Sequence, residues 1–231
     1  MIDLLQNSSY FAVLLTIGAF AAGQAVRQRI GRDIANPLLI AVLLVIAVLL
    51  LLDIDVETYQ SGAQLISWLL TPATVCLALP LYRQINVLRR NAAAAVTGVL
   101  MGVLSSAVLI TLLVFCFGLN AREAATLLPK SVTTAIGVSI SEELGGIPAL
   151  TVAAIILTGL CGNLTARPLC RLLKITDPVA RGLAIGASSH AIGTVKALEM
   201  GEIEGAMSSA AVAVCGLVTV FAAPLFMHLF I

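Results

Sequence analysis

The stretch Thr134 to Ile147, TAIGVSISEELGGI, returns 56 residues later as His190 to Ile203, HAIGTVKALEMGEI. Six of the 14 aligned positions are identical: Ala135/Ala191, Ile136/Ile192, Gly137/Gly193, Glu143/Glu199, Gly145/Gly201 and Ile147/Ile203. Each copy is too polar and too rich in glycine for an ordinary membrane helix, yet each is followed by a long apolar run. This layout is expected of a membrane protein assembled from repeats around broken helices.

The rest of the 231-residue chain is apolar, with 60% hydrophobic and 11% charged residues. Such a composition belongs in a bilayer, where a helix needs about 20 apolar residues to cross a hydrocarbon core of ~30 Å. Six runs approach that length: Tyr10 to Val26, Pro37 to Leu52, Ala63 to Leu81, Ala92 to Gly118, Ile147 to Ala166 and Ala206 to Leu229. The expected fold is therefore all-α and polytopic, with about six full spans plus two re-entrant or broken-helix segments. A net charge of +1 argues against nucleic acid as a partner. Five scattered cysteines without paired spacing suggest neither disulfides nor a zinc site, and no cofactor or metal is expected. The amino-terminal MIDLLQNSSY lacks the positive charge of a signal peptide, so the first span is expected to be retained.

Orientation follows from the bias of Lys and Arg toward the cytoplasmic side. Ten of the 13 basic residues fall in three clusters, Arg27/Arg29/Arg32, Arg83/Arg89/Arg90 and Arg167/Arg171/Lys174/Arg181, while Asp3 and Asp53/Asp55/Glu57 mark the opposite side. Four spans then occupy residues 1–118. An odd number of crossings separates Gly118, outside, from the third cluster, inside, so the segment from about Arg122 to Gly146 enters and leaves on the outer side. By the same count, Gly182 to Gly205 dips in from the cytoplasmic side. Each repeat, 119–175 and 176–231, is one dip plus one span, and consecutive units with odd crossings are inverted relative to each other.

The first dip, LLPKSVTTAIGVSISEELGG, should break near Pro129, which lacks an amide hydrogen and disfavours helix in the residue before it. Ser131, Thr133 and Thr134 follow the break, where a new helix presents free amide hydrogens and its positive dipole end. Lys130 adds a formal charge, and an ionisable group at membrane depth is a functional candidate. The second dip, GLAIGASSHAIGTVKALEMGE, offers Ser188, Ser189, His190 and Thr194. Gly137, Gly186 and Gly193 are candidate break points in the dips, and Pro72 is one in the third span. If the dips enter from opposite faces their tips meet, and such a site would bind a short carboxylate. His190, with an ordinary pKa of ~6.5, is the candidate for proton coupling. Gly98 and Gly102 give the fourth span a face for close helix contact. Neither a G-x-S-x-G elbow nor an H-E-x-x-H helix is present, so catalysis is not expected.

The strings LLPKSVTTAI, GGIPALT and ARGLAIGASSHAIGT, with the earlier LLTPATVCLALPLY, resemble the LrgB/CidB family over essentially the whole chain. Ala135 departs from the pattern, since many members carry Pro there. The resemblance implies a multi-pass protein of the bacterial inner (cytoplasmic) membrane working with a small LrgA-type, holin-like membrane partner. It also implies one of two roles. The first is transport of a short monocarboxylate of the pyruvate, glycolate or glycerate type; the second is regulation of murein hydrolase activity and autolysis as a holin/antiholin-like component. By analogy with elevator-like carriers, a homodimer is expected.

Overall fold

The computed structural model describes residues 9–30 and 36–230. Among them every regular element is a helix. Asp3 and Arg32, used above for orientation, lie outside the described residues. The described residues fall into two compact units, one ending at Val75 and the other beginning at Cys76. The chain is a multi-pass membrane protein: five segments, Tyr10–Ile30, Gln64–Arg83, Ala92–Phe117, Pro148–Leu172 and Glu202–Met227, are long and apolar enough to cross a bilayer. The second expected span is helical over only 15 residues, Pro37–Leu51, about 22 Å at 1.5 Å per residue and short of the ~30 Å core.

In the first unit, α1 (Ser9–Ile30) ends in Arg27 and Arg29, cations that suit the negative end of a helix. It packs against the start of α2 (Pro37–Leu51) at Gly23, where a Cβ would lie 2.5 Å from the Pro37 carbonyl. Asn36 caps α2, accepting from the amides of Leu38 and Leu39 at 2.8 and 3.3 Å, and Pro37 fills the first position, where no amide bond is lost. After α3 (Val56–Gly62), the expected third span is a run of short helices, α4 (Gln64–Trp68), α5 (Leu70–Cys76), at whose end the first unit closes, and α6 (Ala78–Arg83), which belongs to the second unit. The interruption expected at Pro72 falls two to three residues before it. Pro72 and Pro80 are each the third residue of a short helix, where a missing amide costs no hydrogen bond, and each ring excludes helical continuity with the carbonyl four residues back.

In the second unit, α7 (Ile85–Arg90) leads into α8 (Ala92–Phe117). Its buried stripe of Ala95, Val99, Val103, Ala107, Ile110 and Val114 recurs at three- and four-residue steps. The opposite side exposes Leu100, Met101, Leu104, Val108, Leu112 and Phe115, an apolar face suited to hydrocarbon. Gly98 and Gly102 face Leu183 and Ala187, so the close-contact face expected of this span is where the next layer packs.

The first dip is a hairpin. α9 (Ala121–Leu127) begins with a capping box between Asn120 and Glu123, with reciprocal bonds of 3.0 and 2.8 Å. The chain turns through residues 128–133 and returns as α10 (Thr134–Glu143). Both arms are tied to the start of α11 (Pro148–Leu172). The Thr151 hydroxyl lies 3.0 Å from the Thr126 carbonyl and 2.7 Å from the Ser141 hydroxyl, and the Thr126 hydroxyl accepts from the Ile147 amide at 2.9 Å. These groups are buried, so losing the central hydroxyl leaves partners unsatisfied. Thr151→Val is expected to destabilise the protein by about 1–3 kcal/mol, read as a lower unfolding midpoint in detergent.

The second dip is formally one helix, α12 (Pro178–Met200), but its contacts show that it folds back on itself. Before His190 the register against α13 (Glu202–Met227) rises: Gly182 meets Glu204 and Met207, and Gly186 meets Ser208 and Ala211. After His190 it falls, since Thr194 bonds Ser208 at 2.8 Å and Leu198 packs on Gly205. Ile185 and Ala197 share one buried cluster with Ala166, although a straight helix would hold residues 12 apart at about 18 Å. The reversal is at His190, with φ 43° and ψ −147°. Few non-glycine residues adopt that conformation, and its strain persists only when the surroundings hold it.

An offset of 56 residues carries α10 onto residues 190–199, the returning arm of α12, and α11 onto residues 204–228, against Glu202–Met227 for α13. Thr126 against Thr151 becomes Gly182 against Met207. The aligned isoleucines cross over: Ile136 docks at Gly216 of α13, and Ile192 docks at Gly159 of α11.

Candidate functional site

At the turn of the first hairpin, two of the expected site residues, Lys130 and Ser131, converge with Ser106 of a separate helix. Pro129 stands in this turn, just beyond the last residue of α9. Lys130, half-buried, extends its ammonium to the Ser131 hydroxyl at 3.1 Å and to the Ser106 hydroxyl of α8 at 3.4 Å. The two hydroxyls lie 3.2 Å apart. No carboxylate pairs with Lys130 among the described residues, in contrast to Arg181 with Glu204 and Lys196 with Glu199. An ammonium has three donors and no acceptor, so both hydroxyl oxygens accept from it and their protons remain to be donated. One hydroxyl donates to the other, and the cluster presents at least one O–H and one N–H to a ligand. This is a set of donors, chemically suited to an anion.

Beside it lies a cleft with room for about one water molecule. Ser106 and Val103 of α8, Ser131 and Leu128 of the first hairpin, Ala187 of the second, and Cys215 and Thr219 of α13 line it. Both hairpins therefore border the same space. Apart from the two serines, Thr219 and the thiol, its wall is hydrocarbon.

The remaining expected site residues stand elsewhere. Thr133 precedes the first turn of α10 without a side-chain capping bond, and Thr134 is exposed. The exposed Ser188 bonds Ser189 at 2.9 Å. Ser189, His190 and Thr194 are buried in helix packing and do not line the cleft. Thr194 lies 3.0 Å from the His190 carbonyl, besides its bond to Ser208. The imidazole Nε2 lies 2.9 Å from the Ile155 carbonyl of α11. Because a carbonyl only accepts, Nε2 carries the hydrogen and Nδ1 is the nitrogen left to take up a proton.

The glycines expected to break the dips sit inside helices and serve packing. A Cβ at Gly137 would meet Ile155 Cδ1 at 2.5 Å, at Gly186 the Ser208 carbonyl at 2.4 Å, and at Gly193 the Ser189 Cβ at 2.4 Å. On α11, Gly159 leaves room for the His190 ring and Gly162 for the Ser189 side chain. The second turn is thus seated in a glycine-walled slot, and Asn163 donates to the Ile192 carbonyl beside it at 2.9 Å. Lys196 and Glu204 are buried. Among the described residues no group of three or more His, Cys, Asp or Glu is placed to hold a metal.

Ser106 and Thr219 were not apparent from the sequence because both lie within runs dominated by apolar residues. The spacing Gly98, Gly102, Ser106 is the signal that puts Ser106 on the close-contact face of α8.

The profile of the LrgB-like family matches residues 16–229. The chain belongs to the LrgB-like family. It is similar to the antiholin-like protein LrgB of Bacillus mycoides (strain KBAB4), with 34% identity over 219 residues, covering 94% of this chain and 95% of the relative. The proteins of the same name from Bacillus cereus (strain B4264) and Bacillus anthracis (strain CDC 684 / NRRL 3495) match it with the same identity and coverage. No solved structure matches the chain.

Proposed function

We propose that this LrgB-like protein is a secondary carrier of a short monocarboxylate of the pyruvate, glycolate or glycerate type in the bacterial inner membrane, with the carboxylate held at Lys130. The carrying observation is the Lys130 ammonium, half-buried at the turn of a helix hairpin and bonded to the Ser106 and Ser131 hydroxyls, with no carboxylate partner among the described residues. Desolvating a charge without a counter-ion is costly, and a ligand carboxylate supplies the missing partner. The correspondence of the two halves at a 56-residue offset supports an inverted pair of hairpins whose rocking alternates access to the cleft. A homodimer and a small LrgA-type partner belong to the same reading. Neither requires the chain to be an enzyme.

A second reading has its own observation. The relatives are named antiholin-like proteins, and that name favours a regulator of a membrane pore and of autolysis over a carrier. The hairpins and the Lys130 cluster weigh on the carrier side.

Uptake of labelled pyruvate, glycolate and glycerate into proteoliposomes separates the two, with and without an LrgA-type partner. The carrier reading expects saturation and competition among the acids. Equal leak of all solutes, or no uptake under any condition, supports the regulator. His190, with Nδ1 free of the Ile155 bond, is the proposed proton-coupling residue. His190→Asn keeps a donor for the carbonyl and tolerates positive φ but does not titrate, so it should flatten the pH dependence of uptake. An unchanged pH profile would remove His190 from that role.

A further inference from the structure

We infer that Ser106 of α8, a helix outside both repeated halves, is a positioning residue of the anion site. The inference rests on the carrier reading of the Lys130 cluster. A lysine side chain has many rotamers, and an ammonium recognises a ligand as a point charge without preferred direction. Two fixed acceptors remove that freedom. Ser131, next to Lys130 in sequence, moves with the same turn, whereas Ser106 comes from α8 and fixes the ammonium to a different element. With two of the three N–H groups committed, the third has one direction left, and the Ser106–Ser131 contact at 3.2 Å leaves one of the two hydroxyl protons to donate outward.

The placement of Ser106 is itself built into the packing. It follows Gly98 and Gly102 on one face of α8, and a Cβ on Gly102 would lie 3.0 Å from the Ala187 Cβ. Ala187 lines the same cleft as Ser106. Ser106 thus lies on the face of α8 that approaches α12. The neighbouring Ser105 is exposed and bonds the Gly102 carbonyl of its own helix at 3.0 Å, so it is an internal control.

The test is a comparison of concentration dependence for labelled pyruvate uptake in wild type, Ser106→Ala, Ser106→Thr and Ser105→Ala. Ser106→Ala is expected to raise KM roughly 10-fold, the scale of one hydrogen bond to a charged group, with the maximal rate preserved. Ser106→Thr, which restores the hydroxyl, should recover most of the affinity, and Ser105→Ala should match wild type. Unchanged KM in Ser106→Ala, with Lys130→Met inactive, would overturn the inference and leave the carrier reading standing. Equal loss of maximal rate in the Ala and Thr variants, with lowered thermal midpoints, would also overturn it, since that is a packing defect. A wild type without saturable uptake would overturn the carrier reading and this inference together.

Discussion

Lys130→Met is expected to abolish saturable carboxylate uptake, lowering the affinity roughly 100-fold or more, while leaving the thermal midpoint of the protein unchanged or higher. The two halves of this result have one cause. Without ligand, the ammonium is half-buried and bonds two hydroxyls but no carboxylate among the described residues, so the folded protein carries a partly desolvated charge that a methionine of similar length would not impose. With ligand, the same charge is the main attraction, and removing one partner of a desolvated pair costs about 3–5 kcal/mol. A residue retained at a cost to stability and needed for activity is a ligand-binding residue. If it were structural, Lys130→Met would lower midpoint and uptake together. Measuring both on one preparation distinguishes the cases.

Gly186→Val is expected to have the largest effect on the fold. A Cβ at Gly186 would lie 2.4 Å from the Ser208 carbonyl oxygen, 2.9 Å from the Ser208 Cα and 2.8 Å from the Ala211 Cβ. Two of these atoms are backbone of α13, so relief requires the helices to part, and overpacking of this kind costs about 1–3 kcal/mol or more. The shift would also displace the adjoining Ala187 from the cleft. The variant should show a lowered unfolding midpoint and lose uptake. Gly98→Ala is the matched control: its Cβ would meet only Leu183 Cδ1 at 3.8 Å, an ordinary contact, and alanine is the better helix former by about 1 kcal/mol. It should be neutral or stabilising. Equal damage from both would mean that the α12–α13 contact is not the tight one.

The long helices were legible because each is an apolar run bounded by charge, glycine or proline, as α8, α11 and α13 illustrate. The first hairpin was legible through Pro129, whose missing amide leaves few alternatives. The second was harder, because glycine signals both flexibility and close approach, and here Gly186 and Gly193 serve the latter. The reversal fell instead on His190, which aligns with Thr134, the first residue of α10; the repeat itself held that signal. Side-chain direction was not legible. His190 bonds the Ile155 carbonyl and Thr194 bonds Ser208, because a glycine-walled slot on α11 takes the turn of α12.

The central claim is a carboxylate site at Lys130, and equilibrium binding of labelled pyruvate to the purified protein tests it most directly, with its neutral amide as competitor and Lys130→Met alongside. The account predicts one saturable class of sites, displaced by unlabelled pyruvate but not by the amide, and absent in Lys130→Met. A wild type that binds no carboxylate, or a Lys130→Met variant that binds as well as wild type, would contradict it.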